Sequence, residues 1–169
     1  MILALVFVGL VVVLVIATVF RMPATTSVTI EIRFDATIGA VWQVYTDFES
    51  QPNWRSDVAS VDMAEDNRSW TETLKTSRMT IRFQILEEIP PNILTLKTGA
   101  DGIFEGQYVA EFREEEGKTI GTFTEEATTL GIVPKLMRRL FVNQKKLIEE
   151  YAAEAKAEIN RRNSTADHK

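Results

Sequence analysis

Hydrophobic positions along this chain fall into three regimes. From Ile2 to Phe20 they are continuous, and Thr18 is the one polar side chain among them. A run near 20 apolar residues matches the length a helix needs to cross a hydrocarbon core about 30 Å thick. Backbone pairing in lipid permits a single segment no other form there. From Val28 to Thr128 apolar and polar residues mostly alternate, which is the period of half-buried strands. A long final helix, with Pro134 in its first turn, runs to about Asn160, and Val133, Met137, Leu140, Phe141, Gln144, Leu147, Ile148 and Tyr151 form one stripe along it, Gln144 being its polar member.

Within the alternating region, Val28, Ile30, Ile32 and Phe34 share one strand face. Asp35 or Thr37 can cap a helix whose apolar face is Ile38, Val41, Trp42 and Tyr45. Pro52 then breaks the chain before Trp54. Further strands are predicted at Val58–Met63, around Trp70–Leu74, Met79–Ile85, Leu94–Leu96, Phe104–Phe112 and Thr119–Thr128, joined by short turns. The last of these has two possible parities. Either Thr122, Thr124 and Glu126 face inward, or Phe123 and Glu125 do. Such a succession implies an antiparallel meander.

Two other readings of the first segment compete with that one. A cleavable signal peptide needs a basic start and an A-x-A-like end, and neither stands here. A buried core helix needs a polar stripe or a far larger domain to cover it. The sequence therefore divides into a membrane anchor at residues 1–21, a linker at 22–27, one domain at 28–160 and a disordered tail at 161–169. Arg21 and Arg33 follow the apolar run, so the positive-inside bias places a single-pass protein with its domain on the cytoplasmic side.

Composition narrows the chemistry. The formal charge is −5, which argues against a general nucleic-acid partner. The single histidine is His168 and cysteine is absent. No His- or Cys-based triad or metal site can therefore be assembled, and no glycine-rich phosphate loop occurs. Neither a metal nor a cofactor is implied. The candidate acid–base groups are Glu72 and Glu126, with Tyr108 as a partner. A basic cluster, Lys135, Arg138, Arg139, Lys145 and Lys146, is either a solvated helix face or a contact for lipid head groups.

The stretch IRFDATIGAVWQVYTDFESQPNWRSDVASVDM carries Val41-Trp42, Tyr45-Thr46-Asp47-Phe48 and Pro52-Asn53-Trp54. In that order of elements it resembles the START-like, or SRPBCC, superfamily, and most of all its polyketide cyclase/dehydrase-type members. The resemblance spans about residues 26–161. It implies an α+β helix-grip fold, in which a curved antiparallel sheet of about seven strands wraps on a long C-terminal helix, here preceded by one transmembrane helix. It also implies a cavity between sheet and helix. Candidate lining residues are Trp70, Leu74, Phe83, Ile85, Leu96, Phe104, Tyr108, Phe112, Met137, Leu140, Phe141 and Gln144, and Gly106 in mid-strand marks either a bulge or room for a ligand. The expected partners are a small hydrophobic ligand, lipid- or isoprenoid-like, and membrane lipid. A cofactor-free cyclase or dehydratase, and a protein-interaction module with a vestigial cavity, are the alternatives.

Overall fold

The computed structural model describes residues 6–10, 14, 23–141 and 143–166, the side chains of residues 138–141 and 166 excepted. Val6–Leu10 and Leu14 are helical with exposed side chains. The rest of the apolar run lies outside the described residues, and among the described residues no helix is long and apolar enough to cross a membrane.

Seven strands form one antiparallel sheet. They are β1 (Thr25–Phe34), β2 (Val58–Met63), β3 (Ser69–Leu74), β4 (Thr80–Ile89), β5 (Ile93–Ala100), β6 (Phe104–Glu115) and β7 (Lys118–Thr129). Their spatial order is β1-β7-β6-β5-β4-β3-β2. The meander runs from β2 to β7, and β1 closes the far edge by pairing with β7 over ten residue pairs, Thr25 to Thr128 through Phe34 to Thr119. β1 begins three residues earlier than its alternation suggests, because β7 offers partners as far as Thr128.

Between β1 and β2 lie α1 (Ile38–Thr46) and a 3-10 turn (Phe48–Asn53). The Thr37 hydroxyl caps α1, accepting from the Ala40 N–H at 3.4 Å. Val41, Trp42, Val44 and Tyr45 form its buried face.

The predicted single C-terminal helix is two helices, α2 (Ile132–Phe141) and α3 (Gln144–Ala166). Asn143 separates them. Its side-chain oxygen accepts from the Lys146 N–H at 3.2 Å, which satisfies an otherwise orphaned donor at the start of α3. α3 also runs six residues past the expected end near Asn160. Glu158 holds Arg161 at 2.7 Å and Arg162 at 2.6 Å, and Arg162 reaches Asp47 at 2.8 Å. These ties convert most of the predicted tail into helix. Ile148, Ala152, Ala155 and Ile159 are its buried apolar stripe.

Between this stripe and the sheet lies the core. Phe34, Phe112 and Phe123 meet Tyr45 of α1 there, and Tyr45 stacks on Phe123 at 5.3 Å. Each fully buried side chain of this size contributes about 1.5–3 kcal/mol, so the aromatic cluster is the main hydrophobic tie between α1, α3 and the sheet.

Candidate functional site

The registers define the inward face of the sheet. Trp70 lies opposite Phe83, Ile85 opposite Leu96, Leu96 opposite Tyr108, and Tyr108 opposite Glu125. Phe123 is fully buried, so the last strand takes the second of its two parities. Glu125 points inward, and Glu126 is exposed on the outer face.

Of the residues expected to line a cavity, Trp70, Ile85, Leu96 and Phe112 are buried in the core. Leu74, Phe83, Phe104 and Tyr108 face inward but are only half-buried. Gln144 is also half-buried. It accepts from the Thr26 hydroxyl at 2.8 Å and hydrogen-bonds the Glu125 carboxyl. Met137 is 51% exposed. The side chains of Leu140 and Phe141 lie outside the described residues.

Gly106 has a different cause from the one expected. A Cβ there would press into the Glu126 backbone oxygen and stand 3.1 Å from the Thr98 hydroxyl. The glycine lets β6 and β7 approach; it does not make space for a ligand.

Glu72 is 2% exposed and fully engaged. It accepts from Arg55 at 2.8 Å and from the Trp70 indole at 3.1 Å. Arg55 also donates to Gln51 at 2.7 Å and to Asp57 at 3.0 Å, and its guanidinium lies 5.0 Å from the centre of the Tyr151 ring. Burial works against the Arg55 charge, but Glu72, Tyr151 and Asp57 outweigh it and raise its pKa further. Both members of this ion pair are thus satisfied several times over, as a buried pair must be. Trp70 itself is sandwiched between Phe48 at 3.9 Å and Phe83 at 5.1 Å.

Next to that network, among the described residues, the interior holds two unpaired side-chain polar atoms. The hydroxyls of Tyr45 and Tyr108 are out of solvent and have no hydrogen-bond partner. Burial pushes both phenols well above their usual pKa, and Tyr151 beside them rises for the same reason. All three are therefore neutral O–H groups at neutral pH. Tyr151 packs edge-on against Tyr45 at 5.2 Å. Glu125 is a second inward carboxyl of the sheet, and burial raises its pKa against the opposing hydrogen bond from Gln144.

Sequence reasoning placed Tyr45 and Tyr151 on core faces and passed over their hydroxyls, and it did not single out Arg55. The signal was present: a tyrosine on a buried helical face brings a polar tip that needs a partner.

A separate open depression of about 380 Å³ involves β2–β6. Its walls include Asp62, Thr71, Arg82, Gln84, Lys97 and Glu105, which have the outward parity. Trp70, Phe83 and Thr98, which have the inward parity, also border it. Among the described residues no cluster of acidic or histidine side chains could hold a metal ion.

The profile of a family described as polyketide cyclase / dehydrase and lipid transport matches residues 25–157. A conserved protein from Geobacillus kaustophilus superposes with a TM-score of 0.70 at 17% identity, covering 80% of this chain and 96% of that one. The Zhui aromatase/cyclase from Streptomyces sp. R1128 gives 0.67 at 12%, covering 82% and 95%. Norcoclaurine synthase from Thalictrum flavum, as a point mutant with a transition-state analogue, gives 0.65 at 9%, covering 82% and 96%. At such identities the superpositions speak to the helix-grip fold alone. No curated protein matches the chain in sequence.

Proposed function

Because the chain belongs to the polyketide cyclase / dehydrase and lipid transport family, we propose that it binds a small hydrophobic ligand between sheet and C-terminal helix, and does so while tethered to a membrane. One observation carries the ligand reading: the Tyr45 and Tyr108 hydroxyls, which have no partner among the described residues, inside a mainly hydrophobic core. A buried hydroxyl without a partner costs about 1–3 kcal/mol. An apolar molecule with a hydrogen-bond acceptor at one end, such as a lipid or isoprenoid bearing a carbonyl, offsets that cost. The half-buried Phe83, Leu74 and Phe104 on the same face supply apolar surface for its body.

Support for the tether is the continuous apolar run Ile2–Phe20 followed by Arg21. That flank favours a cytoplasmic domain. Native mass spectrometry of the full chain, released from detergent micelles, tests both parts. A defined extra mass of an apolar molecule supports the reading. A bare protein after purification and after incubation with membrane extract contradicts it.

A second reading, cofactor-free cyclase or dehydratase chemistry, is favoured by Glu125. An inward carboxyl with a raised pKa opposite a neutral phenol can serve as a proton donor. Glu72 fits that role poorly, since Arg55 and Trp70 occupy both of its oxygens. Turnover of a bound ligand that disappears in Glu125→Gln, with binding retained, would favour catalysis over carriage.

A further inference from the structure

We propose that the end of the sheet where the chain enters it is a bilayer-docking tip. Ile103, Leu130, Ile132, Val133 and Met137 insert among the acyl chains, and the net positive charge of the α2 sequence favours anionic head groups. The inference rests on the reading of residues 2–20 as a membrane anchor.

Several segments converge at this end. The Thr129 N–H donates to the Ala24 carbonyl at 2.9 Å, which fixes the start of β1 against the end of β7. The Leu130 N–H donates to the Ile103 carbonyl at 2.8 Å, which brings in the β5–β6 turn. Gly131, at φ +89°, then swings the chain into α2. The five apolar side chains around this junction are between 38% and 70% exposed, Val133 the most. Outside the N-terminal segment, the other exposed large hydrophobics among the described residues are Leu86 and Ile89 on β4 and Leu147 on α3. A clustered apolar surface of this kind marks a contact, whereas scattered residues do not.

Chain length identifies what covers it. Ala24 is held in the fold, and three residues separate it from Phe20, the last of the apolar run. At no more than about 3.6 Å per residue, that stretch reaches about 14 Å at most. The head-group layer on one side of a bilayer takes up about 5–7 Å of it. The tip is therefore held at the membrane surface whatever the orientation of the rest of the domain.

Charge agrees. The ten residues of α2 include Lys135, Arg138 and Arg139 and no acid, in a chain of net charge −5. The other basic residues of the sequence cluster are offset, because Lys145 pairs with Glu149 and Lys146 with Glu150 along α3. Basic residues beside inserted apolar ones are the combination that anionic lipid surfaces retain.

The chain has no cysteine, so a single one can report position. Val133→Cys in the full chain, labelled with an environment-sensitive fluorophore, is reconstituted in vesicles of phosphatidylcholine and phosphatidylglycerol with or without lipids carrying nitroxides on their acyl chains. Glu115→Cys is the control, since the 12-residue β6 places it about 35 Å from Phe104. The expected result is blue-shifted emission and several-fold stronger nitroxide quenching at position 133 than at 115, reduced when Ile132→Asp is added. Vesicle flotation is measured on the same samples. A chain that floats while the probe at 133 emits as in water overturns the docking tip and leaves the anchor standing. A blue shift without quenching shows a protein cover, a second copy or another partner, and also overturns it. A chain that does not float overturns the anchor and the tip together.

Discussion

Tyr45→Phe and Tyr108→Phe should raise the stability of the empty protein and weaken its hold on ligand. Each substitution removes one oxygen that has no partner and keeps the ring. For Tyr45 the preserved contacts are the stack on Phe123 at 5.3 Å and the edges of Phe112 at 5.1 Å and Tyr151 at 5.2 Å. What is lost is the desolvation penalty of an unsatisfied hydroxyl, which mutational data put at about 1–3 kcal/mol. Taking the low end, each variant gains about 1 kcal/mol, or roughly 3 °C in Tm for a domain of this size. Both rings touch Phe123, so the double variant should gain less than the sum. With ligand bound the sign reverses. A hydroxyl that donates to the ligand contributes about 0.5–1.5 kcal/mol, so its removal should cost about three- to tenfold in affinity. The assays are thermal unfolding of ligand-stripped full chain in detergent, and occupancy by native mass spectrometry. A loss of 1 kcal/mol or more in the stripped protein would refute the reasoning, because it would mean that the hydroxyls are already satisfied.

Three further outcomes are expected. Glu72→Gln should destabilise the domain by about 3 kcal/mol in denaturant unfolding, since it leaves the Arg55 charge without its buried partner, whereas replacing both residues by leucine should cost less than the single change. Gly106→Ala should cost about 3 kcal/mol or prevent folding, because its Cβ meets backbone that cannot yield without shifting β7. Glu125→Gln should flatten the pH dependence of stability: a carboxyl whose folded pKa is raised favours the fold below the unfolded value of about 4.3 and loses that contribution as pH rises through the folded one. The variant should therefore be the more stable at neutral pH, and a chemical-denaturation series from acid to neutral pH checks this.

Alternation was enough to assign inward faces to β1, β3, β4 and β6, because a strand with one buried side repeats every second residue. It failed at β7, where threonine and glutamate occupy both faces, and only the pairing of Phe123 with Ala110 and Ile30 decides the matter. That pairing moves the candidate inward carboxyl from Glu126 to Glu125. Glu72 was legible as buried, but its engagement was not, since Arg55 lies 17 residues away in sequence and meets it only through the fold. The break at Asn143 was hidden because the apolar stripe continues across it. Gly106 was noticed as an oddity, yet its cause is the backbone of a strand about 20 residues later. Local pattern reports faces; long-range approach decides which polar groups meet.

α3 can also be read as a ruler. Its first residue, Gln144, bonds Thr26 near the start of β1; Lys156 lies over the ring of Phe34 at the end of that strand, and Arg162 clasps Asp47 beyond it. At 1.5 Å per residue its 23 residues span about 34 Å. Whatever is attached after Ala166 is thereby presented some 30 Å from the point where the chain enters the sheet. The fold thus sets the start of its sheet and the end of its last helix a fixed distance apart.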